Sequence, residues 1–391
     1  MLTFLREYAP WLAPVLVFGL VVFVHELGHF LAAKATGVYA PRFSIGFGPA
    51  LWAHRWGETE YRLAALPLGG YVRMASRDDE VAAALEGGSE EGRAAAAANL
   101  DPNAMMPFGP RPIPPDRWFE SKSLGARLTI MLAGVSMNVV LAFVIMTGVS
   151  LYYGRPIQSN SPVFDFVVPE SPAAAAGLAG GDSVVAVAGQ PIKTWQDLVA
   201  HVSVSPDVPI SITVMSHGVP RTISVTPRAT PDTNRESGAV RIVGKIGAAS
   251  RMDRQRVSVP EALRWASSRT WSLAGLIFES VHDLATRKAS FRSLEGPLGI
   301  AKVSVEAARN GFEQLWVLIA FLSVNVAILN LLPIPILDGG QVVINIVEAI
   351  KGRPFSLRTR EYILRVGLVA IGALFLLVMF NDRCRVFSGL C

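Results

Sequence analysis

The chain is poor in cysteine and in charge, and each shortage excludes something. Its two cysteines, Cys384 and Cys391, stand at the extreme C-terminus, so no thiolate framework holds the fold and no Cys-rich metal site is available. Whether the two pair with each other is open. Charged residues make up 17% of the 391 positions against 51% hydrophobic ones, a balance unlike that of an ordinary soluble protein. The net charge of +5 is spread through loops, without a basic stripe interleaved with aromatics, which argues against nucleic acid as a partner. A secretory leader is also lacking. Only Arg6 precedes the first apolar run, Pro14 interrupts its start and no small-residue cleavage site follows, so that run is expected to stay in the mature protein.

What is present is apolar sequence in blocks. Uncharged runs cover Tyr8 to Val24 (17 residues), Leu128 to Gly154 (27), Gln314 to Leu337 (24) and Val366 to Asn381 (16). A helix crosses the hydrocarbon with about 20 residues, so the first three qualify directly or with the apolar residues beside them. The last gains length if Arg365 snorkels and Tyr362, Ile363 and Leu364 extend its apolar face. Four transmembrane helices in a lipid bilayer are therefore expected. Lys34 and Arg42 follow the first span, Arg117, Lys122 and Arg127 precede the second, and five basic residues from Lys351 to Arg365 join the third to the fourth. The positive-inside rule makes those segments cytoplasmic and puts both termini and the segment after the second span outside.

The first span runs into His25-Glu26-Leu27-Gly28-His29. Histidines at i and i+4 share one helix face, so both rings can reach one metal ion while Glu26 stands beside it as a base. A turn this polar at membrane depth costs roughly 2.5–3.5 kcal/mol per charged group on insertion scales, so it must face protein or water and usually marks function. A zinc hydrolase needs a third protein ligand. Asp338 is the only carboxylate in the apolar stretch opened by Gln314, and it follows Asn330-Leu331-Leu332-Pro333-Ile334-Pro335. The two prolines must break the helix and free backbone groups, which is tolerated at membrane depth only beside protein or a cavity. The first and third spans both run inward, which puts Asp338 at the same end as His25 and His29.

Elsewhere the pattern is β. Phe43 to Gly48, Ala50 to His54, Tyr61 to Leu66 and Gly70 to Met74 read as four short strands, a small sheet whose open edge can take a substrate strand. Asp78 to Pro115 is low-complexity linker. In the second span, Gly134 and Asn138 read as packing and hydrogen-bonding residues against a neighbouring helix. Pro156 to Arg228 alternates short strands with one helix, Thr194 to His201, a pattern resembling a PDZ domain of the bacterial protease type that binds extended peptides. Pro260 to Leu284 is helical but too charged to span, and is expected to lie at the outer membrane face.

The helix with His25, Glu26 and His29, the Phe43–Gly48 and Leu68–Val72 stretches, the PDZ-like region, Gly296-Pro297-Leu298-Gly299-Ile300 and Asn330 through Gly340 together resemble the site-2 protease family (peptidase family M50), in its bacterial regulator-of-sigma-E protease type. The resemblance implies an intramembrane zinc metalloprotease of the bacterial inner membrane acting on single-span membrane proteins. In it His25, His29 and Asp338 hold Zn2+, Glu26 is the catalytic acid/base, Asn330 and Asn325 help hold the substrate, and the sheet, with Gly70, Tyr71 and Val72, engages it. Two departures stand out: one PDZ-like domain where that type has two, and Val135 where a proline usually follows the glycine. The competing reading is a non-catalytic, membrane-anchored PDZ scaffold with a structural metal. The expected organisation is a polytopic α-helical membrane protein. Residues 1–35, 126–154, 314–340 and 362–391 carry the spans; 36–77 is the cytoplasmic sheet, 78–125 the linker, 155–230 the exported PDZ-like domain, 231–313 a linker with interfacial helices and 341–361 a cytoplasmic segment.

Overall fold

A computed structural model describes residues 9–76, 104–109, 111–233, 240–290, 294 and 296–386. The low-complexity stretch lies outside them from residue 77 to 103, as does Cys391, and Cys384 is described in its backbone alone. Helix α1, Ala13–Ala35, carries no charge before its metal motif and ends where Thr36 hydrogen-bonds back to the Ala32 carbonyl (Oγ1 at 2.8 Å) and Gly37 takes a left-handed φ of 72°.

The expected sheet exists, but as two long bent strands. β1, Arg42–Trp56, and β2, Thr59–Arg73, fold on themselves so that residues 42–45 lie between 60–63 and 70–73, while 50–56 pair with 59–64. Gly46, Gly48 and Gly69, at φ 88°, 87° and 121°, make the bends that read as strand ends in the sequence. Among the described residues the 70–73 arm pairs with β1 on one side only, which leaves its other edge open. An ion cluster pins the sheet. Glu58 takes Arg117 through both oxygens, at 2.7 and 2.9 Å, and Lys34 from the end of α1 at 2.6 Å. Arg117's hydrogen bonds outweigh the cost of burial and, with Lys34, pull the Glu58 carboxyl down to about 2, so the cluster stays charged at neutral pH.

Helix α2, Leu124–Tyr153, leads to a separate β-rich unit, Ser150–Ser258. In chain order this unit holds β3 (Arg155–Gln158), β4 (Phe164–Val167), α3 (Pro172–Ala175), β5 (Ser183–Val187), β6 (Gln190–Pro191) and α4 (Trp195–Ser203). Then come β7 (Ile210–Ser216), β8 (Val219–Val225), β9 (Arg228–Thr233), β10 (Val240–Lys245), β11 (Ala248–Ser250) and β12 (Met252–Gln255). A four-stranded sheet, β6-β5-β7-β8, packs Val184, Ile212 and Val214 against Trp195 and Leu198 of α4. Each such side chain contributes about 1.5–3 kcal/mol on burial. Thr194 and Asp197 cap α4 reciprocally. The unit runs past the expected limit near residue 230 because β11 and β12 return to pair β4 and β3.

Helix α5, Val259–Ala285, buries Ala262, Ala266, Thr270, Leu273 and Ile277 and packs along the later helix Phe312–Asn330. Helix α6, Pro297–Asn310, starts at the Gly-Pro-Leu-Gly motif, and buried Asp382 accepts the backbone N–H groups of Gly296, Leu298 and Gly299 at 2.8–3.1 Å. That carboxylate caps a helix which has no side-chain cap of its own. Helix α7, Phe312–Asn330, is followed by a loop over 331–337, by α8, Asp338–Lys351, and by α9, Leu357–Val386. The third expected span therefore stops at Asn330, and Asp338 opens a helix of its own. Among the described residues, four helices are long and apolar enough to cross a membrane: Pro10–Ala35, Leu124–Tyr153, Phe312–Asn330 and Arg358–Arg383. In the last, Val369, Leu376 and Phe380 are each more than 60% exposed, an apolar surface that calls for lipid. Arg365 is not left to snorkel alone, since Glu361 pairs with it at 2.6 Å.

Candidate metal centre

The site begins with a close helix crossing. A Cβ at Gly28 of α1 would run into the Ala133 carbonyl of α2, so only glycine lets the two backbones approach there. That approach brings Ile130, Gly134 and Asn138 of α2 against the two histidines. The His29 Nδ1–H donates to the Ile130 carbonyl at 2.8 Å; a carbonyl only accepts, so Nε2 of neutral His29 presents a lone pair. Asn138 reaches His25 Nδ1 at 3.3 Å through its carboxamide. Its Oδ1 is buried without a partner among the described residues; turning the amide over gives that oxygen the His25 Nδ1–H and frees the Nε2 lone pair as well. Ser323 Oγ of α7 donates to the Asn138 carbonyl at 2.8 Å and steadies this turn of α2.

The third donor arrives through the break after α7. Pro333 and Pro335 have no N–H to continue the helix, and the chain turns through short bonds, Ile334 N–H to Leu332 O at 2.7 Å and Leu337 N–H to Ile334 O at 2.8 Å. A Cβ at Gly339 would overlap the Leu331 carbonyl, and one at Gly340 that of Ile334. The two glycines thus fold the loop onto the start of α8 and aim Asp338 back at α1.

His25 Nε2 and His29 Nε2 lie 3.1 Å apart, and Asp338 Oδ2 stands 3.1 Å and 3.3 Å from them. Tetrahedral zinc with bonds of about 2.0–2.1 Å sets its donors about 3.3 Å apart, so the triangle has the size the ion requires. Asp338 Oδ2 is buried and has no hydrogen-bond partner among the described residues. Three lone-pair atoms packed this closely call for a cation between them, and among the described residues these are the ones that form such a group. The histidines are 6% and 5% exposed, and their far nitrogens are held by α2, the outer contacts that orient a metal-binding imidazole.

Glu26, half-buried, faces the same cavity of about 530 Å3, as do Gly70, Tyr71, Val72 and Asn330. Asn330 Nδ2 lies 3.2 Å from His25 Nε2. The open 70–73 arm passes directly over Glu26: Val72 lines the same cavity, and a Cβ at Gly70 would meet Glu26 Cγ at 3.3 Å and the Ser44 carbonyl at 2.7 Å. Phe47 and Tyr71 stack at 6.1 Å and wall the cavity. Asn325 does not line it; five residues from Asn330, it points about 140° away around α7. Gly134 and Asn138 do pack and hydrogen-bond as the sequence suggests, but the neighbour they meet is the metal helix at its histidines. Val135, 9% exposed, is a packing residue.

A family model described as Peptidase family M50 matches residues 13–374. The regulator of sigma-W protease RasP of Bacillus subtilis is 29% identical, over 96% of this chain and 98% of that protein. Zinc metalloproteases RasP of Bacillus licheniformis and Geobacillus kaustophilus are each 30% identical, over 96% and 95% of this chain and 99% and 97% of their own lengths.

Proposed function

The chain belongs to peptidase family M50, the site-2 proteases, and is a zinc metalloprotease; from that premise we propose that it hydrolyses a peptide bond within or next to the membrane span of single-span proteins. The observation that carries this reading is the convergence of His25, His29 and Asp338, at the break after an apolar helix, beneath an open β edge. Bound zinc supplies Lewis acidity, drawing the pKa of a water toward ~7 and polarising a scissile carbonyl. Glu26 takes the water proton and passes it to the leaving amine. Asn330, beside His25, hydrogen-bonds the substrate near the bond to be cut. A substrate helix hides its carbonyls in i to i−4 bonds and must unwind before attack, and the 70–73 edge holds the opened strand by β-addition.

The active site lies toward the cytoplasmic side of a bacterial inner membrane, with both termini and the β-rich unit outside, a sidedness that the lysines and arginines flanking the spans support. Exposed Leu51, Trp52 and Trp56 at the far end of β1 support a sheet that sits in the membrane interface. The β-rich unit is PDZ-like, binds extended peptides and screens substrates by size, so that proteins already shortened by an earlier cut are admitted; an anti-sigma factor or a signal-peptide remnant fits that description.

The protein in detergent or vesicles is expected to cleave a single-span test protein, to stop when a chelator strips its metal and to resume with stoichiometric zinc. Cleavage that survives complete zinc removal would take the metal out of the mechanism, and no cleavage by the zinc-loaded protein would leave the anchored peptide-binding scaffold. A second result tests the edge. Gly70→Ala has no room against Ser44 or Glu26 and must push the 70–73 arm away, so cleavage should fall about tenfold or more, roughly 1.4 kcal/mol in the barrier, with one zinc per chain retained. Wild-type turnover by that variant would remove the edge from the mechanism.

A further inference from the structure

The helix that delivers Asp338 is gripped at both ends. At its start the two glycines lie on the preceding loop and Gln341 Nε2 donates to the Pro335 carbonyl at 2.7 Å. Near its far end, Glu348 is 5% exposed and takes Arg360 of α9 in a fork, Nε to Oε1 at 3.1 Å and Nη2 to Oε2 at 2.8 Å. The Phe355 backbone N–H donates to Oε1 at 2.8 Å. Arg127, in the first turn of α2, stands 3.9 Å from Oε2 and donates to buried Asn345 at 2.9 Å. Burial alone would push the Glu348 carboxyl up; Arg360, the Phe355 N–H and Arg127 overcome it and hold the group below the usual range. α9 also touches the loop at Gly367, where a Cβ would meet that of Pro335 at 3.1 Å.

None of this cluster belongs to the catalytic chemistry, since Glu348 lies about 15 Å along the helix axis from Asp338. A buried ion pair is seldom more stable than the apolar packing that could replace it, whereas a forked one fixes orientation. The orientation at stake is that of α8, whose first residue must keep one oxygen at 3.1–3.3 Å from two imidazoles. We propose that Glu348 is a positioning residue for the metal: held by Arg360 and Arg127, it sets the roll and height of α8 and so the place of the Asp338 carboxylate against His25 and His29. The second and fourth spans thereby share control of a ligand that neither of them carries.

The proposal rests on the metal centre above, and the test separates the two. Zinc affinity of the full-length, metal-stripped protein is read by competition with a chromophoric chelator, and the donor geometry by the visible absorption of bound Co2+. Glu348→Gln should weaken zinc at least tenfold, in the range expected of residues that orient a ligand, and alter the Co2+ bands. Arg360→Lys, which keeps the charge and loses the fork, should weaken it about threefold and is read alone if Glu348→Gln is not monodisperse. Glu58→Gln breaks a comparable ion cluster that does not touch α8 and should leave both readouts unchanged. Wild-type affinity in the Glu348 and Arg360 variants, or an equal loss in Glu58→Gln, overturns the proposal. Asp338→Ala must lose zinc; if it does while Glu348→Gln does not, only the positioning role fails, and if it binds as wild type, the metal centre itself is misassigned.

Discussion

Glu26→Gln should hold its zinc and lose cleavage by about a thousandfold or more, roughly 4 kcal/mol of transition-state stabilisation. The substitution keeps the size of the side chain and its place under the 70–73 arm but removes the capacity to take a proton. Zinc should be retained because the donors proposed for it are His25, His29 and Asp338, whose atoms close a triangle without Glu26. The base must act from beside that triangle, and the helix puts it there: one residue after His25, it turns about 100° around the axis, off the ligand face and under the 70–73 arm. Metal content by atomic absorption and single-turnover cleavage of a single-span substrate check the two halves separately. Residual cleavage within tenfold of wild type would place the base elsewhere, and loss of zinc would make Glu26 a ligand.

How much of this was legible before the coordinates depends on range. The His25–His29 pair is local, fixed by a helical repeat that the apolar run advertises, and Asp338 stood out as a lone carboxylate in a run without others. Those three and Glu26 fall together in space, as does Asn330. Asn325 stays out of the cavity lining for a reason also local: five residues from Asn330, it turns about 140° away around the helix. The sheet was misjudged in its parts, since Gly46, Gly48 and Gly69 look like strand ends and act as bends inside two long strands. Contacts across helices were beyond reach. Asn138 is 113 positions from the ring it touches, and nothing in one sequence fixes how α2 is rotated or how far it slides along α1. The same holds for Glu348, whose partners on α2 and α9 are set by tertiary packing and not by any repeat in α8.

Gly134 turns that long-range packing into the second large effect. A Cβ there would overlap His29 Nε2, the donor atom itself, and lie 2.8 Å from Cε1 of both histidines. The rings cannot step aside, because the Ile130 carbonyl holds one and Asn138 the other. Gly134→Ala is therefore expected to weaken zinc by about a hundredfold or more and to silence cleavage with it, comparable to losing the contacts that orient the ligands. Helix propensity pushes the opposite way, since alanine in a helix interior is better than glycine by about 1 kcal/mol. The control lies on the same helix: Gly148 has nothing within 4 Å of its Cβ position, so Gly148→Ala should keep zinc and activity and hold or raise thermal stability. A Gly134→Ala protein that folds and binds zinc like wild type would mean that α2 does not press on the histidines, and the tautomer assignment made through Ile130 and Asn138 would fall with it. If instead zinc is lost while the helix content of the two variants matches, the second span acts as the back wall of the metal site, and its glycine is there to leave room for two imidazoles.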